Sequence, residues 1–540
     1  MNFLSRSEVK ASNGIVCSAS PLAASHGLKV LMEGGNAFDA AIVVASIETV
    51  TLPSMCGLGG DTFALLYNAN SNKMIGINGS GAAPYNANLD YFKSRKYDIM
   101  PQDGPLAVTI PGEVSAWETI HEQLCTWPFD KLLSPAIKYA REGFPLPQHM
   151  GNSFSTNKST LEQYPSTASI FLNNGQTYSP GDCFVNCDLS NTLESVAKGG
   201  AEEFYRGELA HKFIKELNEY GGLFTETDFA SHTTEVYDEP LSTTYRDNLI
   251  YQTRPPSQGF IMLEMLNLIE GFDLNASGHL TTESIHLMVE SKKMAFNDRN
   301  RYLGDPKFIE GPLKKLISKQ YADEIRSEID HLSASNIIEH HPFTSGGSDT
   351  SYFCVADSDG NCVSFIHSIF KQFGSGFVAN GTGVVFNNRA GAFSLEQNHP
   401  NMIQPGKRPM HTLNCYMATK TGKPWLIGGT PGADLQPQCN TQIITSIIDH
   451  QISPQTAIEL PRWWSFPGTD VTVTDNPLEL RMEPGFNKKV VEQLNQLGHH
   501  VIPLNPGEAL GRVQLIQLDN LHGILVGASD PRADGHAVGF

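Results

Sequence analysis

The sequence predicts an α+β fold in which a central sheet is covered by helices, and three observations support this. Residues 111 to about 330 have mostly helical patterns, as in FDKLLSPAIKYARE (129–142). Residues 350–540 return to strands, as in YFCVAD, PWLIGG and GILVGA. The first strand of this second part is apolar on both faces, with Tyr352 and Cys354 on one face and Phe353 and Val355 on the other. Such strands are typical of a sheet buried between two layers.

The N-terminal region predicts two helices and then a hairpin. Ser20 and Pro21 form a helix cap and a first helical position, and Gly34–Gly35 ends that helix. A second helix follows from Asn36, and CGLGGDTFALLYN (56–68) predicts a glycine loop and a strand. Because the loop precedes a strand and does not join a strand to a helix, we expect its glycines to allow close backbone packing and not to bind phosphate.

Composition and charge exclude several classes of function. The chain has 540 residues, of which 40% are hydrophobic and 18% charged, as in a globular protein with a large core. The net charge of -19 is spread without a basic stripe, so nucleic acid is not an expected partner. The start, MNFLSRSEVKASNG, contains no apolar segment, and AAIVVASIETV (40–50) is too short to cross a membrane. We therefore expect no membrane partner and a cytoplasmic location.

No metal or cofactor is expected. The nine cysteines have no zinc-type spacing, and in a reducing cytosol we expect free thiols. His340–His341 and His499–His500 are adjacent pairs whose side chains diverge, so we interpret them as surface histidines.

The threonine that opens the second part is a candidate nucleophile. Gly346, Gly347 and Ser348 lead into Asp349 and then Thr350, which stands at the mouth of a strand. Thr is β-branched and favours strands for that reason alone. Alternatively, Thr350 becomes a chain terminus, where its own α-amine, with a pKa of about 7.7–8.0, takes the proton from its hydroxyl.

The sequence resembles the γ-glutamyltranspeptidase family of N-terminal-nucleophile hydrolases from about residue 10 to the end. The matching stretches are GGNAFDAA (34–41), CGLGGDTF (56–63), PGEVSAW (111–117), PPSQGF (255–260), NDRNRYLGDP (297–306), TSYFCVADSDGN (350–361), FGSGFVANGTGVVFNN (373–388), PGKRPMHT (405–412), GGTPGA (428–433) and GASDPR (527–532).

The resemblance implies a four-layer αββα sandwich made as one precursor. The precursor would cut itself between Asp349 and Thr350 into a helix-rich fragment, 1–349, and a strand-rich fragment, 350–540, that bind each other as one domain. A small amide is the implied substrate, and a dimer of such two-fragment units is a further expectation.

The resemblance also assigns the groups around the nucleophile. Ser368 stands where the family keeps a second hydroxyl. In GGTPGADLQPQ (428–438), backbone N–H groups of Gly432 and Ala433 would bind the oxyanion, where the family has two glycines. Alanine is acceptable there if its φ is negative. A plain strand-to-helix turn is the alternative interpretation.

The substrate-binding positions depart from the family. Its arginine is replaced by Ser80, its aspartate by Ala392, an asparagine by Phe370, a glutamine by Arg389, and its paired serines by His411 and Thr412. With both charged partners of a zwitterion gone and Arg389 added, we expect an acyl group that carries a carboxylate but no α-amine. This pattern resembles the branch of glutaryl-cephalosporin acylases and oxamate amidohydrolases.

Three alternatives stay open at this point. The chain could be a true γ-glutamyltransferase or glutathione hydrolase with a different binding arrangement. It could also be an uncleaved homologue that only binds metabolites, although Thr350, Ser368 and the glycine turn argue against that. Arg389 could equally form a structural ion pair.

Overall fold

The computed structural model describes residues 6–335, 350–466, 478–505, 508 and 510–540. The strands are β1 Val9–Ala11, β2 Gly14–Ser18, β3 Asp61–Asn68, β4 Lys73–Gly79, β5 Phe144–Pro145, β6 Leu172–Asn173, β7 Gln176–Thr177, β8 Cys183–Phe184, β9 Glu235–Tyr237, β10 Leu241–Tyr245, β11 Asn248–Gln252, β12 Ser351–Asp357, β13 Cys362–Ser368, β14 Tyr416–Lys420, β15 Lys423–Gly429, β16 Trp463–Ser465, β17 Leu480–Met482, β18 Val501–Pro503, β19 Gln514–Asp519, β20 Ile524–Ser529 and β21 His536–Gly539.

The α-helices are α1 Pro21–Met32, α2 Ala37–Thr51, α3 Leu89–Ser94, α4 Glu113–Leu124, α5 Phe129–Glu142, α6 Gln148–Thr156, α7 Lys158–Leu161, α8 Pro165–Phe171, α9 Cys187–Tyr205, α10 Glu208–Glu219, α11 Glu226–Ala230, α12 Gly259–Glu270, α13 Leu274–Ser277, α14 Thr282–Tyr302, α15 Leu313–Leu316, α16 Lys319–Arg326, α17 Leu435–Ile448, α18 Pro454–Glu459 and α19 Lys488–Gln496. Helix α9 is kinked at Gly200, and two 3-10 turns span Pro105–Ala107 and Arg389–Ala392.

Two seven-stranded sheets form the centre of the molecule. One has the order β1-β20-β19-β15-β14-β11-β10, and the other β21-β2-β12-β13-β3-β4-β9. Tyr352 and Cys354 lie in a core between the two sheets, together with Met417 and Ile427 of the first sheet. Helices α2 and α4 pack on the outer face of the β12 sheet in a second core, with α5 packed on α2. Helices α12 and α17 pack on the outer face of the other sheet in a third core, with α14 packed on α12.

The structure confirms the α+β class and many of the predicted elements. Ser20 caps α1 by accepting a hydrogen bond from the Ala23 N–H, and Asn36 caps α2. The glycine loop before β3 does pack closely, since a Cβ on Gly59 would lie 2.1 Å from the Val385 carbonyl oxygen. The region predicted as mostly helical also contains β9, β10 and β11, which the helical pattern did not reveal.

Both large sheets contain strands from before and after residue 350. Strand β12 pairs with β2 on one side and with β13 on the other, and β13 pairs with β3. In the first sheet, β11 pairs with β14. Among the described residues, no helix is both long and apolar enough to cross a membrane.

Candidate active site

Thr350 lies immediately before β12 and forms a pair of hydroxyls with Ser368, the last residue of β13. The Thr350 Oγ1 hydroxyl donates to Ser368 Oγ over 3.1 Å, and the Phe370 N–H donates to the same Ser368 oxygen over 2.8 Å. Thr350 is 3% exposed and Ser368 is fully buried. Asp349, the other half of the predicted cleavage site, lies outside the described residues. The predicted nucleophile therefore has a hydroxyl partner at one end of the sheet.

The register of the strands brings further polar groups to the same end. Ser368 is paired with Asp61 at the start of β3, and Thr62 is paired with Gly79 at the end of β4, so Ser80 follows alongside. Neighbouring strands lie about 4.8 Å apart. Thr350, Ser368, Asp61 and Ser80 thus form a row across the ends of four adjacent strands.

Arg389 reaches this row from the 3-10 turn that it opens. Its Nε donates to Asp61 Oδ2 over 3.3 Å, and its guanidinium carbon lies 4.0 Å from the centre of the Phe370 ring. The side chain is fully buried, yet Nη1 and Nη2 have no hydrogen-bond partner within the described part of the chain. A buried donor without a partner costs about 1–3 kcal/mol, and more when it is charged. The arrangement therefore suits an anionic ligand that accepts both N–H groups.

His411 is the second buried group with unpaired nitrogens. Its Nε2 lies 4.0 Å from Asp61 Oδ2, and neither ring nitrogen has a hydrogen-bond partner among the described residues. Burial lowers the pKa of His411 well below its ordinary value, and the nearby charges of Arg389 and Arg408 lower it further. The imidazole is therefore neutral at pH 7 and offers one donor and one acceptor. We call Arg389, Asp61 and His411 the Arg389 pocket.

Asp61 and Arg389 form a buried ion pair whose two charges are both weakened by desolvation. Burial raises the pKa of Asp61 to about 6, although the positive charge of Arg389 and the Gly81 N–H lower it. Burial also lowers the pKa of Arg389 to about 10, against the opposing effect of Asp61. At pH 7 both groups are charged, and the pocket has no net charge. The sequence-based interpretation missed Asp61, although a charged residue at the start of an apolar strand was a visible signal.

The other predicted binding residues make internal contacts. The Ser80 hydroxyl donates to Asn78 Oδ1 over 2.6 Å. The Thr412 carbonyl accepts from Gln258 Nε2 over 2.9 Å and from Asn414 Nδ2 over 3.0 Å. Ser80 precedes Gly81, whose N–H donates to Asp61 Oδ1 over 3.0 Å, so Ser80 lies beside Asp61. Thr412 follows His411 in the chain.

The turn proposed to bind the oxyanion joins β15 to α17, as predicted. Gly432 has φ 126° and Ala433 has φ 49°, so the condition under which alanine is acceptable there, a negative φ, is not met. A left-handed alanine costs roughly 1–2 kcal/mol and is retained only where its surroundings impose it. Gln258 is one such contact, because its Nε2 donates to the Ala433 carbonyl over 3.1 Å. Within the described residues, the N–H groups of Gly432 and Ala433 donate no hydrogen bond, so both remain available to an anion.

A cavity of about 170 Å³ lies against the segments that flank these groups. Its wall includes Met55, whose carbonyl accepts from the Ile369 N–H over 3.1 Å, directly after Ser368. Arg512 also lines it, and its N–H donates over 2.9 Å to Thr430 Oγ1, just before the proposed oxyanion turn. Its lining mixes apolar residues with polar side chains such as His149, Asn152, Gln372 and Asp534, and it does not include Thr350 or Ser368.

Two buried clusters combine ligand types that metals use, Glu48 with Cys56 and His367, and His286 with Glu290 and His499. In the second cluster, His286 Nε2 lies 2.7 Å from the Asp330 carbonyl oxygen, which can only accept, so Nε2 is the donor. In a neutral His286 ring the other nitrogen, Nδ1, then accepts from His499 Nε2 over 2.8 Å. Hydrogen bonds therefore account for this pair. His499 is 5% exposed, so its interpretation as a surface histidine is wrong. The His340–His341 pair lies outside the described residues, and all nine cysteines are free thiols.

Comparisons with known proteins agree with this geometry. A family model described as Gamma-glutamyltranspeptidase matches residues 23–540. The chain is 38% identical to the glutathione hydrolase-like YwrD proenzyme of Bacillus subtilis, over 97% of this chain and 98% of that one. It is 31% identical to the oxamate amidohydrolase proenzyme of Klebsiella pneumoniae, over 98% and 99% of the two chains. The crystal structure of cephalosporin acylase from Bacillus halodurans superposes with a TM-score of 0.92 at 34% identity, covering 100% of this chain and 98% of that one.

Proposed function

The chain belongs to the γ-glutamyltranspeptidase family, and from that premise we propose that it is a self-processing amide hydrolase with Thr350 as its N-terminal nucleophile. We propose further that the acyl part of its substrate carries a carboxylate and no α-amine. The observation that carries this choice is the Arg389 guanidinium, which is buried with both terminal nitrogens unpaired among the described residues.

Processing would occur at the Asp349–Thr350 peptide bond. Thr350 Oγ1 attacks the Asp349 carbonyl carbon, the C–N bond breaks, and the Thr350 nitrogen takes up a proton. Water then hydrolyses the resulting ester, which leaves a carboxylate on Asp349 and a free α-amine on Thr350. Because β12 pairs with β2 and β13 with β3, the fragments 1–349 and 350–540 would stay together as one αββα sandwich.

Turnover would use the same hydroxyl with the new α-amine as its base. The amine takes the Thr350 Oγ1 proton, the oxygen attacks the substrate carbonyl, and the N–H groups of Gly432 and Ala433 stabilise the oxyanion. The proton then passes to the departing amine. Water hydrolyses the acyl ester, and a second amine in place of water would give transfer. Ser368 fixes the orientation of the nucleophile through its 3.1 Å hydrogen bond.

Recognition of the acyl carboxylate would fall to the Arg389 pocket. The planar fork of a guanidinium matches the two oxygens of a carboxylate, and the stacked Phe370 ring keeps that fork in one plane. The neutral His411 ring can donate one more hydrogen bond. A charge-assisted hydrogen bond contributes about 1.5–3 kcal/mol, which corresponds to roughly ten- to a hundredfold in affinity.

A γ-glutamyl compound is the second candidate, because Asp61 supplies a carboxylate to the same pocket. That carboxylate could accept the ammonium of a zwitterion. Asp61 is, however, already paired with the Arg389 Nε and the Gly81 N–H, and desolvation raises its pKa to about 6. An added ammonium would have to share this weakened charge with Arg389, which favours the substrate without an α-amine.

Two chromogenic amides separate the candidates. Glutaryl-p-nitroanilide and γ-glutamyl-p-nitroanilide have the same chain length and leaving group and differ only in the α-ammonium. We expect kcat/KM to favour the glutaryl compound by at least about tenfold, because burying a charged ammonium without an acceptor of its own costs more than about 1–3 kcal/mol. An oxalyl anilide tests whether a shorter acyl group is preferred. A clear preference for the γ-glutamyl compound would replace the first proposal with the second.

A further inference from the structure

One residue inward from the hydroxyl pair, a histidine is enclosed by two carboxylates. His367 precedes Ser368 in β13 and is paired in register with Ser351, the residue after Thr350. Its Nδ1 lies 2.8 Å from Glu113 Oε1, and its Nε2 lies 2.8 Å from Glu48 Oε2. His367, Glu48 and Glu113 are all fully buried. The mechanism proposed above uses none of them.

The ring is an imidazolium, since both nitrogens face carboxylate oxygens and only N–H groups can donate to both. Burial alone would lower the pKa of His367, but the acidic groups around it, Cys56 and Glu113, raise it well above its ordinary value. Burial raises the pKa of the Cys56 thiol to about 11, so that thiol is neutral at pH 7. With that thiol neutral, the partners left for the two ring N–H groups are the Glu48 and Glu113 oxygens at 2.8 Å.

Hydrogen bonds account for every carboxylate oxygen in this group. Glu48 Oε1 accepts from Ser18 Oγ over 2.6 Å, and Glu48 Oε2 accepts from Ser351 Oγ over 2.6 Å as well as from His367. Glu113 accepts from the Trp117 Nε1–H over 2.8 Å and from the Thr62 hydroxyl. A metal at the Glu48, Cys56 and His367 trio would have to displace donors from these satisfied oxygens and from the ring. The group is a closed hydrogen-bond network, and we call it the His367 network.

The network is connected to both members of the hydroxyl pair. Ser351 is bonded covalently to Thr350, and its hydroxyl is fixed to Glu48 on α2. Glu113 opens α4, and its N–H donates to the Gly60 carbonyl over 3.2 Å. Gly60 in turn lies so close to Ser368 that a Cβ there would be 2.6 Å from the Ser368 carbonyl oxygen.

We propose that His367 is a positioning residue, which holds Glu48 and Glu113 so that Ser351 and the end of β13 fix Thr350 Oγ1 against Ser368 Oγ. This inference rests on the proposed function, because it requires Thr350 to be the nucleophile. The network would set the reaction rate through geometry without contacting the substrate, since small displacements of a nucleophile can cost about a hundredfold in rate.

Two serines on the same carboxylate provide a matched test. Ser351→Ala and Ser18→Ala each remove a hydrogen bond of 2.6 Å to Glu48, and Ser18→Ala also removes the bond that Ser18 Oγ accepts from the Ser20 N–H, but only Ser351 is attached to the nucleophile. We expect Ser351→Ala to lower kcat roughly ten- to a hundredfold with KM within about twofold, and to slow self-cleavage. Ser18→Ala should change kcat by less than about threefold while losing a similar amount of thermal stability.

Variants of the histidine itself extend the test. His367→Gln leaves two buried carboxylates against no cation, so it is expected to fold poorly. His367→Gln with Glu113→Gln restores the net charge of the network to that of the wild type, −1, and should fold with kcat reduced at least about tenfold. Two low-field imidazolium N–H proton signals in the wild-type NMR spectrum, absent from the double variant, would identify the charged ring.

The outcomes separate this inference from the proposed function. If the wild-type protein neither cuts itself nor hydrolyses the amides, the proposed function fails and the inference fails with it. If the wild-type protein is active and both serine variants lose kcat equally, or the folded double variant keeps full kcat, the positioning role alone is overturned.

Discussion

Two buried charged groups adjoin the Thr350–Ser368 pair, and they differ in how their hydrogen bonds are completed. In the His367 network every carboxylate oxygen accepts a hydrogen bond from the protein. In the Arg389 pocket, by contrast, Nη1 and Nη2 of Arg389 and both ring nitrogens of His411 have no hydrogen-bond partner among the described residues. Buried polar groups are normally satisfied, so this difference supports the proposal that the His367 network is structural and that the Arg389 pocket binds a ligand.

The largest expected effect is the loss of both self-cleavage and substrate turnover when the Thr350 hydroxyl, which lies next to both groups, is removed. Wild-type protein should separate on a denaturing gel into two fragments. Scaling 59.1 kDa by 349/540 and 191/540 gives about 38 and 21 kDa, and the smaller fragment should begin Thr-Ser-Tyr-Phe. Thr350→Ala should stay at full length and be inactive, whereas Thr350→Ser keeps a hydroxyl and should retain partial cleavage. An active Thr350→Ala protein would move the nucleophile elsewhere.

The second prediction tests whether the Arg389 pocket contributes to binding or to stability. Replacing the ion pair with neutral residues, as Arg389→Met with Asp61→Asn, should leave the free energy of unfolding within about 1 kcal/mol of the wild type or raise it, because buried ion pairs pay a large desolvation cost. The KM for glutaryl-p-nitroanilide should rise at least about tenfold, and self-cleavage should proceed.

His367→Gln, in the His367 network, is the control. Removing one partner of a buried ion pair lowers the free energy of unfolding by about 3–5 kcal/mol. If the Arg389→Met, Asp61→Asn protein is strongly destabilised, or if its KM does not change, the Arg389 pocket does not differ from the His367 network in the way we propose. Denaturant unfolding and steady-state kinetics provide the two measurements.

Local patterns in the sequence predicted many of the elements and singled out Thr350 as a candidate, but they did not predict the contacts between distant residues. The helix Phe129–Glu142 follows directly from its apolar spacing, and Thr350 stands out from the loop before it. Asp61 and Arg389 are 328 positions apart, and Glu48 and His367 are 319 apart. Glu48 reaches His367 because α2 packs on β13, and Arg389 comes near Asp61 because the segment at Phe386 pairs with Gly59 just before β3. Both contacts depend on the folded sheet and not on local sequence.

The positive φ of Ala433 was also beyond the reach of a local pattern. An alanine favours negative φ when only its neighbours in sequence are considered. Its left-handed conformation is imposed by contacts across the fold, among them the Gln258 side chain, 175 positions away. The three short strands β9, β10 and β11 were missed for a related reason, because strands of three to five residues leave little periodicity.

The third prediction uses the pKa of Asp61 to sharpen the description of the pocket. The pKa is raised from 3.8 to about 6, so the folded protein holds this proton more tightly than the unfolded chain. Ionisation of Asp61 therefore removes stability as the pH rises from about 4 to about 6. Below pH 6 the pocket gains a net positive charge from Arg389, because the carboxyl is neutral there.

Glutarate should consequently bind more tightly at pH 5.5 than at pH 7.5, by roughly two- to tenfold, since it remains an anion over this range. Calorimetry measures the Kd, and Asp61→Asn is the control because it keeps the Thr350 α-amine and binds the same ligand. In Asp61→Asn the Kd should lack the part of the pH dependence that Asp61 contributes. An equal pH dependence in that variant would assign the titration to another group.

The smallest expected effect concerns the turn at Gly432 and Ala433, whose backbone would stabilise the oxyanion. Ala433→Gly removes a left-handed backbone strain of roughly 1–2 kcal/mol. It also increases the conformational entropy of the unfolded chain, which costs about 0.5–1 kcal/mol of stability, and it loses the burial of one methyl group, which costs about 0.8 kcal/mol. These contributions nearly cancel, so stability should change by less than about 1 kcal/mol, and kcat should stay within about twofold because the N–H group is unchanged. Gly432→Ala is the contrast, since a φ of 126° is closed to alanine and the turn must move. Stopped-flow and steady-state rates that fall strongly in Ala433→Gly would show that the alanine side chain itself, and not the backbone, shapes the oxyanion site.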